Sequence, residues 1–474
     1  MLALHLCFFV TFCFFYIMTK VTFMGAGSTV FCRNVLGDCM CRESLKDIEI
    51  ALYDIDGQRL KESQAIIENL NKNINDNRAK ISCYLGVEKR KAALKNADFV
   101  VNAIQVGGYE PSTVIDFEIP KKYGLRQTIA DSLGIGGIFR ALRTIPVMKD
   151  FADDMEKVCP NALFLNYTNP MAMLTGYMLR ETGIRTVGLC HSVQVCLGSL
   201  LMTLGKMTEA EFKADETCVS YGYRHKIAGI NHMAWLLEVT KDGKDIYPEL
   251  KKLSKAFVKK NRGHLEHPEK CGANLVRLEM LNNFGYYVTE SSEHNAEYAP
   301  FWIKSRYPEL ITEYGIPLDE YPLRCVNQIN GWKKEYAEIK KTKMTHKLSR
   351  EYGSAIMEAV VTDKPIQIGG NVLNKGFITN LPSEAVVEVP CLVNSSGITG
   401  TFVGALPPQC AAMNMTNINV QLLAIEAART LKKDHIYQAA MLDPHTAAEL
   451  SIDDIKAMCD DLIEAHGAML PKFK

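Results

Sequence analysis

Apolar and polar stretches alternate differently in the two halves of the chain. Val21–Met24 is a β-branched, apolar run ending in Gly25-Ala26-Gly27-Ser28. A helical pattern follows to about Met40, and a second apolar run, Ile48–Tyr53, ends in Asp54-Ile55-Asp56. This spacing predicts a β-α-β unit. Ala79–Tyr84, Asp98–Gln105, Ala162–Tyr167 and Thr186–Cys190 predict further strands, with helices over Glu88–Asn96 and Ile135–Lys149. Strands separated by helices predict a doubly wound, mostly parallel sheet, whose ligands sit beyond the carboxyl ends of the strands. Those ends carry Gly25, Asp54, Gln105, Asn166 to Asn169 and Cys190-His191, which should line one crevice.

Past about residue 195 the alternation fades. His225–Thr240 reads as strand, while Cys271–Asn282, Trp332–Lys343, Val420–Leu431 and Ser451–His466 read as helices. The expected organisation is a Rossmann-like domain over residues 18–194 and an α+β substrate domain over 195–474, arranged as in lactate and malate dehydrogenases. Residues 1–17 are almost wholly apolar, but lack a positive leader and a small-x-small cleavage site. They run straight into the first strand, so they read as an extension upstream of a natural start at Met18.

Composition narrows the function. The 474 residues carry 54 Lys+Arg and 54 Asp+Glu, a net charge of zero. That balance lacks the basic footprint of nucleic-acid binding. The 15 cysteines are odd in number and have no disulfide spacing, which points to a reducing, cytoplasmic compartment. No membrane partner is expected.

The dinucleotide signal is Gly25-x-Gly27 after a strand. Gly25 permits the tight turn, Gly27 and Ser28 open the helix that faces a pyrophosphate, and Asp54 can accept from a ribose hydroxyl. Val30 takes the place of the third glycine. Alone, the motif also fits an ordinary tight turn. Cys190 and His232 offer a thiolate and an imidazole for a divalent metal, or else are a buried cysteine and a core histidine. Asn169, before Pro170, can bind sugar hydroxyls or simply cap a turn. Glu110, Glu290, Glu293, His294, Glu297 and Tyr298 are candidate acid–base groups, flanked by Tyr286, Tyr287, Phe301 and Trp302.

Taken together and in order, Gly25-Ala26-Gly27-Ser28, Asn169-Pro170, Cys190-His191-Ser192-Val193, Gly229-x-Asn231-His232 and the 289–298 block resemble glycoside hydrolase family 4. The likeness runs from Met18 to about Pro471. The Cys-His-Ser-Val quartet, Gly107-Gly108-Tyr109-Glu110-Pro111 and Asp443-Pro444-His445-Thr446 are similar to its melibiose-type α-galactosidase branch. The resemblance implies a glycosidase that works by redox-assisted elimination with NAD and Mn²⁺ or another divalent transition metal. Hydride leaves sugar C3, a base takes the C2 proton, the aglycone departs from C1, and water adds back before the hydride returns. It further implies Cys190 and His232 as metal ligands, with sugar oxygens completing the shell, and Asn169 on the sugar. His191 would be the proton donor to the leaving oxygen and Tyr298 the C2 base, supported by Glu110; Glu293 or His294 could replace Tyr298. Gly25, Gly27, Ser28 and Asp54 would hold NAD. A homodimer or homotetramer is implied as well. An α-galacturonidase would need a cation for its C6 carboxylate, for which Arg126, Arg140, Arg143 and Arg277 are available. A 2-hydroxy-acid dehydrogenase or an NAD-binding sensor would leave the metal pair idle.

Overall fold

The computed structural model describes residues 18–266 and 274–474; the predicted 1–17 extension lies outside them. Six parallel strands form the first part of the sheet: β1 (Lys20–Met24), β2 (Glu49–Asp54), β3 (Lys80–Leu85), β4 (Phe99–Asn102), β5 (Leu163–Asn166) and β6 (Arg185–Gly188). Their order is β3-β2-β1-β4-β5-β6. Every residue of β1, β4 and β5 is buried, as expected of strands covered by helices on both faces. The strand order reverses between β1 and β4, so a crevice opens at their carboxyl ends. This is the doubly wound arrangement that the alternation predicts.

The later strands are β7 (Tyr223–Ile230), β8 (Met233–Lys241), β9 (Lys244–Asp245), β10 (Tyr287–Val288), β11 (Ile366–Leu373), β12 (Val386–Asn394) and β13 (Gly397–Gly400). They continue the same sheet as β6-β11-β12-β7-β8-β10, now antiparallel. Residues on both sides of position 195 therefore build one sheet. The predicted strand His225–Thr240 is instead a hairpin, with Asn231-His232 as its two-residue turn. The apolar run continues across the turn, so period-2 patterning alone does not reveal it.

Helix boundaries differ from expectation where tertiary packing overrides local pattern. Glu88–Asn96 contracts to a helix over Arg90–Leu94, while Ile135–Lys149 lengthens to Gly134–Val158. The helix expected at Trp332–Lys343 spans Glu320–Ile339. Asp116 ties three helices together: Arg143 of the long helix meets it through two hydrogen bonds (3.0 and 2.6 Å), and His466 of the C-terminal helix through a third (2.9 Å). Arg143 also donates to the Val106 carbonyl, bracing the chain just beyond β4. Every described cysteine is a free thiol. Among the described residues, no helix is long and apolar enough to cross a membrane.

Candidate active site and cofactor crevice

Beyond β1 the chain turns sharply. Gly25 has φ +86°, and a Cβ there would stand 2.8 Å from the Ala103 carbonyl oxygen. A Cβ on Gly27 would stand 2.8 Å from Asp54 Oδ2. Asp54 ends β2, and its Oδ2 accepts the Gly27 N–H at 2.6 Å. The carboxylate is thereby pinned against the turn with lone pairs still free. The helix Thr29–Cys41 starts here, and Ser28 makes no side-chain cap. Its first N–H groups remain free to meet an anion. These residues fit a dinucleotide pyrophosphate and ribose.

Cys190 follows β6 and His232 lies in the β7–β8 turn. The hairpin β11–β12 separates the two strands in the sheet. Even so, donor atoms of Cys190, His232 and Glu290 all lie within 4.8 Å of one another. Glu290 follows β10 with φ +66°, a left-handed conformation for a non-glycine residue. Burial, together with nearby His294, lowers the His232 pKa to about 4, so its ring is neutral and has a lone pair to give. Burial pushes the Cys190 thiol up, as do Glu388 and Glu290. A cation in the same place favours the thiolate. A sulfur, a nitrogen and a carboxylate oxygen form a donor set suited to a divalent transition metal. The sequence reading treats Glu290 only as an acid–base group; its convergence with Cys190 depends on contacts some 100 residues away in the chain.

A cluster of polar side chains lies beside this trio. Asn169 donates to Asp131 Oδ2 (3.1 Å), and Arg140 donates to the Asn169 carbonyl (3.2 Å) and to the Tyr321 hydroxyl (3.3 Å). His294 Nε2 stands 3.6 Å from Asp131 Oδ1, and its ring packs edge-on against His232 at 4.4 Å. Burial alone would lower the His294 pKa, but Asp131 and Glu290 raise it to about 9. Those two carboxylates favour the protonated ring of His294. Among the described residues Glu293 Oε2 is buried without a hydrogen-bond partner, and His294 Nε2 has only the long contact to Asp131. Unpaired buried donors and acceptors of this kind await a polar ligand. Glu297 accepts from the backbone N–H groups of Thr128, Ile129 and Ala130, which shapes the loop presenting Asp131. Burial raises its pKa to about 7 despite those bonds. Neither Asp131 nor this loop role of Glu297 is legible from a local motif.

Tyr298 is buried, its hydroxyl 3.3 Å from the Asn231 carbonyl and 3.5 Å from His232 Nδ1. Burial raises its pKa well above the ordinary phenol value. The expected support from Glu110 is not there. Glu110 lies in the irregular segment Gly108–Thr113, is exposed, and forms no hydrogen bond or ion pair with Tyr298 among the described residues. His191 is half-exposed beside Cys190, with Nε2 2.9 Å from Glu351 Oε2. Burial opposes its charging, but Glu351 outweighs this and raises its pKa.

Family 4 glycosyl hydrolase models match residues 20–206 and, as the C-terminal domain, 227–446. An α-galactosidase of Bacillus subtilis is 59% identical, with 96% of this chain and 100% of that protein covered. An α-galacturonidase of Thermoanaerobacter italicus is 28% identical over 94% and 96% of the two chains. Among solved structures, a 6-phospho-α-glucosidase from gut microorganisms, in complex with NAD and Mn²⁺, superposes with a TM-score of 0.76 at 20% identity, covering 96% of this chain and 100% of its own.

Proposed function

The chain belongs to the family 4 glycosyl hydrolases, and from that premise we propose that it is an α-galactosidase using NAD and a divalent metal such as Mn²⁺ on small α-galactosides such as melibiose. The observation that carries this is a sulfur–nitrogen–oxygen donor trio, Cys190, His232 and Glu290, in a chain whose sheet also ends β1 in a dinucleotide-type turn. When bound, NAD⁺ supplies a hydride acceptor and the metal a Lewis acid.

The chain's own residues do the rest. Gly25, Gly27 and Ser28 shape the turn that brings the free N–H groups at the start of the helix Thr29–Cys41 to the pyrophosphate, and Asp54 accepts from a ribose hydroxyl. Ile55, 74% exposed directly after Asp54, offers an apolar face to the adenine side. Cys190, His232 and Glu290 hold the metal. Asn169, Glu293 and His294 hold the sugar hydroxyls. His191, kept protonated by Glu351, donates to the departing glycosidic oxygen. Tyr298 is our base for the C2 proton. His232, whose Nδ1 lies 3.5 Å from the phenol oxygen, would hold a cation close enough to oppose the effect of burial on that group.

Galactoside is favoured over galacturonide by likeness, 59% identity to an α-galactosidase against 28% to an α-galacturonidase. Arg143 is locked to Asp116, Arg277 donates to the Val288 carbonyl, and Arg126 pairs with Asp319. Of the four arginines Arg140 borders Asn169, and it is faced by Asp131. The same reading takes in a cytoplasmic homodimer or homotetramer, with 18–194 as the NAD-binding part and 195–474 as the substrate part. Competition between p-nitrophenyl α-galactoside and the matching α-galacturonide tests it. Preference for the galactoside is expected; cleavage of the galacturonide alone would move the substrate assignment.

A further inference from the structure

The two strands that carry the donor residues Cys190 and His232 do not touch; the β11–β12 hairpin lies between them. The hairpin meets each neighbour at a single registered pair, Asn371 opposite Gly188 of β6 and Glu388 opposite Gly229 of β7. Asn371 and Glu388 also face each other within the hairpin. One transverse row, Gly188–Asn371–Glu388–Gly229, thus crosses four strands just before both donor positions.

The two glycines in this row admit nothing larger. A Cβ on Gly188 would lie 2.9 Å from Asn371 Cβ and 2.5 Å from Met171 Sδ, and one on Gly229 would lie 2.7 Å from Ala234 Cα. Side chains close the row. Asn371 Nδ2 donates to the Gly188 carbonyl (3.3 Å) and to Glu388 Oε1 (3.0 Å). Asn231 Nδ2, on the residue before His232, donates to the same Oε1 at 3.4 Å. Ser192 Oγ, two residues after Cys190, donates to Oε2 at 3.5 Å. Glu388 and Asn371 are fully buried, and these hydrogen-bond donors to the carboxylate are all neutral.

We propose that Glu388 is a positioning residue for the metal site, its carboxylate spanning the Cys190–His191–Ser192 turn and the Asn231–His232 turn and fixing the separation of their donor atoms. This rests on the reading that Cys190, His232 and Glu290 bind a divalent cation. A carboxyl group suits the task because its two oxygens meet both turns at once, one at Ser192 and the other at Asn231 and Asn371, and a fully buried polar group is costly to keep as packing alone. Groups that orient metal ligands through hydrogen bonds typically change affinity ten- to a hundredfold when removed.

The test is Mn²⁺ affinity of the metal-stripped full chain, read from the electron paramagnetic resonance signal of free Mn²⁺, with NADH binding followed in parallel. Glu388→Ala is expected to weaken Mn²⁺ at least tenfold and to leave NADH affinity unchanged. Glu388→Gln, which keeps an accepting oxygen and can donate to Ser192, is expected to stay within a few-fold of the parent. Should Glu388→Ala not fold, Asn371→Ala, which removes the other end of the row, takes its place with the same expectation. A folded alanine variant binding Mn²⁺ like the parent would overturn the proposal. So would a glutamine variant as weak as alanine, which would assign the effect to charge, or a parallel loss of NADH binding, which would assign it to general disorder. Failure of the parent to bind Mn²⁺, or indifference to Cys190→Ser, would instead defeat the metal-site reading beneath it.

Discussion

His191 Nε2 lies 2.9 Å from Glu351 Oε2, a contact that joins the turn after β6 to the start of the helix Tyr352–Thr362 across 160 residues of chain. The carboxylate stabilises the imidazolium and raises the His191 pKa against the effect of burial. A raised pKa means that the acid form persists to higher pH and is lost as pH rises through it. Glu351→Gln should therefore move the alkaline limb of the kcat profile to lower pH. An unchanged limb would remove His191 from the role of acid.

The same assignment separates substrates by leaving group. An alkyl or sugar aglycone needs a proton to depart, whereas p-nitrophenol does not. His191→Ala should slow melibiose cleavage by roughly 10²–10⁴-fold and p-nitrophenyl galactoside cleavage far less. Paired kcat measurements on the two substrates check this.

At the dinucleotide turn, geometry sets the expectation. Gly27→Val places a branched side chain where a Cβ alone meets Asp54 Oδ2 at 2.8 Å and Arg59 Cβ at 3.0 Å. NADH affinity, measured by fluorescence titration, should fall at least tenfold while Mn²⁺ binding persists. Equal loss of both would mean that the turn supports the fold rather than the cofactor.

Asp116 predicts a stability effect. Its replacement by alanine strands the Arg143 guanidinium, whose exposure is near zero, and frees His466. Breaking a buried pair of this kind costs about 3–5 kcal/mol. Denaturant unfolding of Asp116→Ala should report a loss of that size.

What the sequence made legible follows from locality. Gly25, Gly27 and Asp54 belong to one β-α-β unit, so their meeting is written in a stretch of some thirty residues. The strand-end rule likewise brought Asn169 and Cys190-His191 to the crevice. Glu290, Asp131, Glu351 and Glu388 escaped this kind of reading as members of a shared site. Each reaches its partners through contacts that span many elements, and no spacing rule encodes them. The β11–β12 insertion was hidden for the same reason, since its pairing with β6 and β7 is set by two single registered contacts. Glu110 is the opposite case. A local phrase suggested a place beside Tyr298, but the irregular backbone of Gly108–Thr113 leaves the side chain exposed.

Release of p-nitrophenol from p-nitrophenyl α-galactoside, by protein stripped of metal and nucleotide and then given Mn²⁺, NAD⁺ and a thiol reductant with each omitted in turn, tests the central claim most directly. Activity that requires all three is the predicted result, because the proposed function assigns NAD to the turn at Gly25 and Gly27 and a metal to the Cys190 thiolate. Full activity without NAD⁺ or without metal, in protein verified free of both, would contradict it.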